Sequence, residues 1–285
     1  MIRAIAFFAI LVGTSSLRAE TVVLTATPTG CTRTGLQGFV DKYLDALTRG
    51  APSLMPLAPG AKYIENRKEI AFGQGIWQKP LAVDFQRSLF DVDTCETFTE
   101  IIHTSSSHPY VLGTRLKIAD KNIAEVENLV TDQDDWLFNA ADYLKYSSQE
   151  KWDLLPAAQR SDRQSLIKAA NAYFDVFSDR SSQVPWGIPC ARLEGGAYTN
   201  PNGDPKASCT GGPPLEGTVK LVNRRFIVDV DMGTVVGLVD FGAENGLPDT
   251  HTFRLENGKI RYIHTLTACN VPNCGFPTRK EKAKP

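Results

Sequence analysis

Near the end of the chain Ile260, Tyr262, His264 and Leu266 share one face of an alternating run, with Arg261 and Ile263 on the other. If the apolar face is the concave one, Tyr262 and His264 look into an interior, where an imidazole can move protons. Arg192 and Glu194 stand two residues apart upstream. A carboxyl group held in an apolar cavity has a raised pKa and can act as a general acid, and Arg192 or Tyr262 can stabilise a developing oxyanion. His264, Glu194, Tyr262 and Arg192 are therefore the candidate catalytic residues. Trp186, Trp77, Glu65 and Phe253 are the candidate substrate-lining residues. Other readings stay open. A single His at a strand end, or a lone Tyr, also serves as core, and Glu65 repeats the setting of Glu194, which equally fits carboxylates bonded to backbone amides. Asp91 and Asp93 are echoed by Asp229 and Asp231, as exposed strand carboxylates or partners for Arg224 and Arg225.

Several chemistries are excluded at once. There is no Gly-x-Ser-x-Gly elbow, phosphate loop or His-Glu-x-x-His helix, and Gly73-x-Gly75 is too short for a nucleotide loop. With 31 Lys and Arg against 32 Asp and Glu, the chain has no basic excess to neutralise phosphates, so no nucleic-acid partner is expected. The six cysteines, Cys31, Cys95, Cys190, Cys209, Cys269 and Cys274, contain no Cys-x-x-Cys pair, and no His sits at finger-like spacing from them. Disulfides are predicted and no metal. Cys190 with Cys209 and Cys269 with Cys274 are the local candidates, leaving Cys31 with Cys95, among the fifteen pairings that six cysteines allow. No cofactor motif is present.

The first nineteen residues, with Arg3, the apolar run Ala4 to Val12 and a small-residue stretch to Ala19, read as a cleaved secretory signal peptide. A secreted or vesicular location follows, in line with the cysteine usage. No later stretch is apolar enough to span a bilayer. Residues 276–285 read as a basic, disordered tail.

The elements that would position these side chains occur twice. Phe39 to Leu47, a helical pattern stopped at Gly50, is echoed by Leu166 to Phe177. Lys62 to Asn66 returns as Ala191 to Gly195, 129 residues later. Asp91 to Thr94 returns as Asp229 to Met232, 138 later, and Leu116 to Ile123 as Phe253 to Ile260, 137 later. Asn257-Gly258 between alternating segments marks a hairpin, and Arg225 to Phe241 is rich in strand-forming residues. The prediction is an α+β protein of two tandem cone-like repeats, each a curved antiparallel sheet wrapped around helices. The first covers residues 20–135 and the second 164–275, with a helical connector at 136–163.

Tyr63-Ile64-Glu65-Asn66 followed by Gly73-Gln74-Gly75-Ile76-Trp77, then Arg192-Leu193-Glu194-Gly195-Gly196 and Val228 to Val236, resembles a family of secreted fungal proteins. These are tandem nuclear-transport-factor-2-like, or SnoaL-like, folds. The resemblance covers residues 31 to 275. That family includes the intermolecular hetero-Diels-Alderases of tropolone sesquiterpenoid biosynthesis. The implied function is cofactor-independent: dehydration of a hydroxymethyl tropolone or phenol to a quinone methide, then cycloaddition with a humulene-type sesquiterpene. The implied partners are small hydrophobic polyketide- and terpene-derived molecules. In such a reaction His264 and Glu194 would serve as acid and base, with Arg192 or Tyr262 at the developing oxygen charge. Two alternatives share the scaffold: an isomerase or dehydratase acting on another small hydrophobic metabolite, and a secreted ligand-binding protein without catalysis.

Overall fold

A computed structural model describes residues 31–104, 107–210 and 219–275. The leader and the basic tail predicted from sequence lie outside them. Thr32 caps the first helix, α1 (Arg33–Arg49), by accepting a hydrogen bond from Gly35 N at 3.0 Å, and Gly50 ends it in the left-handed region. Leu36, Val40, Tyr43, Ala46 and Leu47 fall on one stripe and are buried. Strands β1 (Leu57–Glu65), β2 (Lys68–Ile70), β3 (Phe85–Asp91), β4 (Glu96–His103), β5 (Tyr110–Ala119) and β6 (Asn122–Thr131) follow. They form one mixed sheet in the order β2-β1-β6-β5-β4-β3, with β1 and β6 parallel.

The second half repeats this plan. Asp162 caps α3 (Arg163–Asp175), which buries Leu166, Ala169, Ala170, Tyr173 and Phe174. Strands β7 (Trp186–Glu194), β8 (Ala197–Tyr198), β9 (Lys220–Asp229), β10 (Thr234–Gly242), β11 (Leu247–Glu256) and β12 (Lys259–Thr267) form a sheet in the corresponding order, β8-β7-β12-β11-β10-β9. The jump in repeat spacing from 129 to 138 falls between β8 and β9, in the segment that carries Cys209. The chain is α+β with two tandem sheet units. Among the described residues no helix is long and apolar enough to cross a membrane.

The connector is less helical than its sequence predicts. Only α2 (Ala140–Ser147) is an α-helix there, capped by the Asn139 side chain. Beyond it Trp152 and Leu155 turn inward and are buried. Pro156 disfavours helical backbone at the residue before it, so this stretch stays extended.

Each sheet has two buried faces. One lies against its own helix, gathering Val40, Tyr43, Ile101, Leu112 and Val126 in the first half, and Tyr173, Phe174, Val235, Phe253 and Ile263 in the second. The opposite faces meet each other, where Leu89 and Phe98 pack with Ile227, Val236 and Leu238. Burying such side chains stabilises by about 1.5–3 kcal/mol each. The molecule is thus stacked as helix, sheet, sheet, helix.

At the seam the two halves exchange carboxylates. Asp91 and Asp229, expected on the surface or paired with Arg224 and Arg225, are 0% and 1% exposed. Asp229 accepts from Arg33 Nη1 at 2.8 Å and from Phe90 N at 3.0 Å, both across the seam. Asp91 accepts from Arg163 Nη1 at 2.7 Å and Val228 N at 2.8 Å in the reciprocal arrangement. Each also bonds the turn that follows its own strand, through Thr94 N and Met232 N. The second carboxylate of each pair, Asp93 and Asp231, remains half-exposed. Arg224 instead pairs with Asp175, and Arg225 with Glu127.

The three disulfides are Cys31–Cys95, Cys190–Cys209 and Cys269–Cys274, the pairings favoured by the spacing. They accord with folding in an oxidising compartment.

Replacing Asp229 by Ala leaves Arg33 only Asp231, at 4.0 Å, as an acidic partner and leaves the Phe90 amide unpaired in the seam. The expected loss of unfolding free energy is about 3 kcal/mol. Denaturant titration of the single variants and of Asp91→Ala/Asp229→Ala together will measure it; a loss below about 1 kcal/mol in each single variant would refute the clasp.

Candidate active site

The strand that carries His264 does not run in plain alternation. Opposite β11, Arg254 pairs with Tyr262 but Leu255 pairs with Ile260, so Arg261 is an extra residue. A bulge of one residue moves everything after it to the other face. Ile260 and Ile263 accordingly face α3, whereas Tyr262, His264 and Leu266 face the seam. The expectation that Ile260, Tyr262 and His264 share the interior face of the second repeat is corrected on this ground. Tyr262 stacks on Trp152, ring centres 5.7 Å apart.

His264 is sealed. Its Nδ1 lies 3.0 Å from Glu100 Oε2 and its Nε2 lies 2.6 Å from Glu150 Oε2. Glu100 also receives Tyr143 Oη at 3.1 Å and Arg87 Nη1 at 3.3 Å. Glu150 receives Trp152 Nε1 at 2.8 Å and Tyr198 Oη at 2.9 Å. Burial alone would depress the imidazole pKa, but the charges of Glu100 and Glu150 and their hydrogen bonds raise it to about 9. Burial would raise Glu100, and is outweighed by His264, Arg87 and Tyr143, which lower it. His264 is a fixed imidazolium joining the first repeat, the connector and the second repeat. With no exposed face, it does not meet Glu194 and cannot reach a substrate.

Glu194 and Arg192 do reach a cavity. Paired at 3.4 Å, they line a space of about 220 Å³ inside the second repeat, between the helix-facing side of its sheet and α3. Tyr173, Phe177, Phe241 and Leu247 supply apolar wall, and Trp136 and Cys274 stand at its edge. The remaining polar wall is Asp249, His251, Thr265 and Thr267. Asp249 and His251, two residues apart on β11, point to the same side. His251 Nδ1 lies 3.3 Å from Asp249 Oδ2, in charge contact without hydrogen-bond alignment, while Asp249 Oδ1 accepts from Thr267 Oγ1 at 3.1 Å. Burial, with Glu194 acting in the same direction, raises the Tyr173 phenol, and Arg192 opposes this.

Among the described residues, four buried polar atoms of this cavity have no aligned hydrogen-bond partner: Arg192 Nε, Asp249 Oδ2, His251 Nδ1 and Thr265 Oγ1. The first-repeat positions matching Arg192, His251 and Thr265 are joined by hydrogen bonds, and the position matching Asp249 is the apolar Leu112. There Thr114 donates to Tyr43 at 3.3 Å, Tyr43 to Asn128 at 3.1 Å, Asn128 to Tyr63 at 3.4 Å, and Tyr63 to Glu65. Glu65 also accepts from Ile76 N at 2.9 Å, the amide-bonding alternative raised for it. Trp77 fills the space beside Tyr43 and Tyr63 and is 2% exposed, so it is core rather than cavity wall. Trp186 and Phe253 pack edge-on against Tyr173, behind the cavity wall. Among the predicted residues, only Arg192 and Glu194 line this cavity.

His251, Asp249, Thr265 and Tyr173 escaped the sequence reading. The available signal was Asp249-x-His251-x-Phe253, which places two ionisable groups on the apolar face of a strand. Chemically the arrangement offers an imidazole with a carboxylate behind it, a guanidinium, a second carboxylate and a hydroxyl around one apolar space. This suits proton transfer to and from a bound molecule, with an oxyanion stabilised beside Arg192. Among the described residues no cluster of His, Cys, Asp and Glu is placed to hold a metal ion.

Residues 159–267, the second repeat from just before α3 to the end of β12, match a family described as a domain of unknown function (DUF8021). No curated protein matches the chain.

The His264 cluster has a pH signature. Its proton is held up to about pH 9 in the folded protein and is lost near 6.5 in the unfolded chain. Its stabilisation is therefore complete below pH 6.5 and fades as pH rises to 9, with a slope of up to about 1.4 kcal/mol per pH unit. Denaturant midpoints at pH 6.5, 8 and 9 are expected to fall in that order, and the fall should be absent in His264→Gln. A flat profile for the wild type would mean that His264 is neutral.

Proposed function

We propose that the second-repeat cavity is the active site of an enzyme that transfers protons within one small, largely apolar oxygenated molecule, as a dehydratase or isomerase does. The observation that carries this is the set of buried polar atoms on Arg192, Asp249, His251 and Thr265 that lack a hydrogen-bond partner among the described residues; the first-repeat counterparts of Arg192, His251 and Thr265 belong to one hydrogen-bonded chain, and that of Asp249 is the apolar Leu112. Leaving a buried polar group unpaired costs about 1–3 kcal/mol, which a bound ligand recovers. Such atoms gathered around one apolar chamber favour a ligand there.

Quinone-methide formation from a hydroxymethyl phenol or tropolone is the particular case implied by the resemblance to tandem nuclear-transport-factor-2-like hetero-Diels-Alderases. Glu194 would accept the ring hydroxyl proton while His251, protonated and backed by Asp249, donates one to the departing hydroxyl. The C–O bond breaks, water leaves and the ring becomes a neutral quinone methide. Glu194 ends protonated and His251 neutral, and one proton transfer between them resets the site. Arg192 stabilises the oxygen charge that develops on the ring. Arg192 thus keeps the role first considered for it, Glu194 acts as the base and not as the general acid, and His251 replaces His264. A space of about 220 Å³ is below the ~300–1,000 Å³ common for drug-sized ligands, and so favours one small reactant inside. A humulene-type partner would meet the quinone methide at the mouth.

Purified protein incubated with a hydroxymethyl tropolone and humulene is expected to speed formation of the cycloadduct over buffer. His251→Gln should lower the rate about 100-fold or more, and Glu194→Gln about tenfold or more. Tight binding with no conversion of this or any related hydroxymethyl phenol would favour the non-catalytic ligand-binding alternative.

A further inference from the structure

The β1–β2 hairpin turns on Asn66 and Arg67, both in the left-handed region with φ of 44° and 68°. Two-residue turns of this kind strongly prefer Asn followed by Gly. At the equivalent turn of the second repeat, between Glu194 and Ala197, the residues are Gly195 and Gly196. Arginine in a glycine position calls for a role for its side chain. The turn is held in place by Asn66, whose side chain donates to Val130 O at 3.0 Å and accepts from Val130 N at 2.8 Å.

From there the Arg67 guanidinium crosses the seam. It donates to Val239 O and pairs with the Asp240 carboxylate, which is 1% exposed as a residue. Val239 lies at an irregularity between β9 and β10, where the pairing shifts between Leu238 and Asp240. On its other side, Val239 is the residue of β10 opposite Asp249. Asp249 itself borders two spaces: the proposed active cavity, and a crevice of about 20 Å³ at the seam that Arg67 and Arg225 also line.

We propose that Arg67 is a positioning residue through which the first repeat fixes the Asp249–His251 pair of the second. It fills the carbonyl left open at Val239, holding the strand segment opposite Asp249, and it places a positive charge behind the Asp249 carboxylate. The inference rests on the reading of the cavity as an active site, and extends it by making that site dependent on a residue of the other half. The other charged or titratable groups around the pair are Arg192 and Glu194 on β7 and Tyr173 on α3. On the seam side lie Asp240 and the Arg225 guanidinium of the same repeat and, from the first repeat, the Glu127 carboxylate that Arg225 binds. Of all these residues Arg67 alone stands at a left-handed turn position, so it can be exchanged for the residue its backbone prefers.

The test is Arg67→Gly, which suits the turn and removes the charge, beside Arg67→Lys, which keeps the charge. Titration of the His251 ring by NMR needs no substrate; His251→Gln assigns its signal. Loss of the nearby cation is expected to raise the His251 midpoint by about half a pH unit or more in Arg67→Gly. Arg67→Lys should stay near the wild-type value. With the hydroxymethyl tropolone probe, kcat of Arg67→Gly should fall about tenfold with KM changed less than about twofold. An unchanged His251 midpoint in Arg67→Gly overturns the proposal, as does an equal change in Gly and Lys variants, which would place the effect in the turn. A displaced midpoint in a protein that converts no probe leaves Arg67 its positioning role and removes the reaction instead.

Discussion

Two carboxylates with almost no contact with water hold this molecule together. Asp91 and Asp229 each take a guanidinium and a backbone amide from the other half while bonding a turn of their own. An unpaired carboxylate in such a place would be costly, so neither half can present its outer sheet face without the other. The packing of Leu89, Phe98, Ile227, Val236 and Leu238 supplies apolar contact, and the aspartates fix the register in which that contact is made. Every inter-repeat feature, including the sealed His264 and the crossing of Arg67, depends on that register.

Within this frame the halves have separated in purpose. The first repeat closes its interior with Trp77 and a chain of hydrogen bonds from Thr114 to Glu65. The second keeps the same backbone plan but places Arg192, His251 and Thr265 where the first has Tyr63, Thr114 and Asn128, and leaves room between them. The seam network on His264, Glu100 and Glu150 is of the closed kind, being fully paired and dry.

Local features were legible in the sequence. The helix stop at Gly50, the Asn257-Gly258 hairpin and the short-range cysteine pairs need only neighbours in the chain, and the repeat itself exposed the two sheet units. What failed depended on one residue or on distance. A bulge at Arg261 turned His264 away from the interior, and no alternation pattern carries that shift. The burial of Asp91 and Asp229 comes from partners 72 to 196 residues away. The connector is expected to be helical, whereas beyond α2 its Trp152 fills the seam in extended backbone. Arg192 and Glu194 were found because they stand on an unbulged stretch beside a recognisable turn.

The covalent link through α2 has a meaning beyond tethering. In an assembly of two identical subunits any substitution is installed twice, at both symmetry-related places, so an arginine useful in one turn would also be imposed on the other. Joined in a single polypeptide, the two turns can hold Asn66-Arg67 and Gly195-Gly196 independently. Fusion frees each copy from the other's substitutions, and a lopsided pocket served by an intact twin is a form that identical partners could not reach.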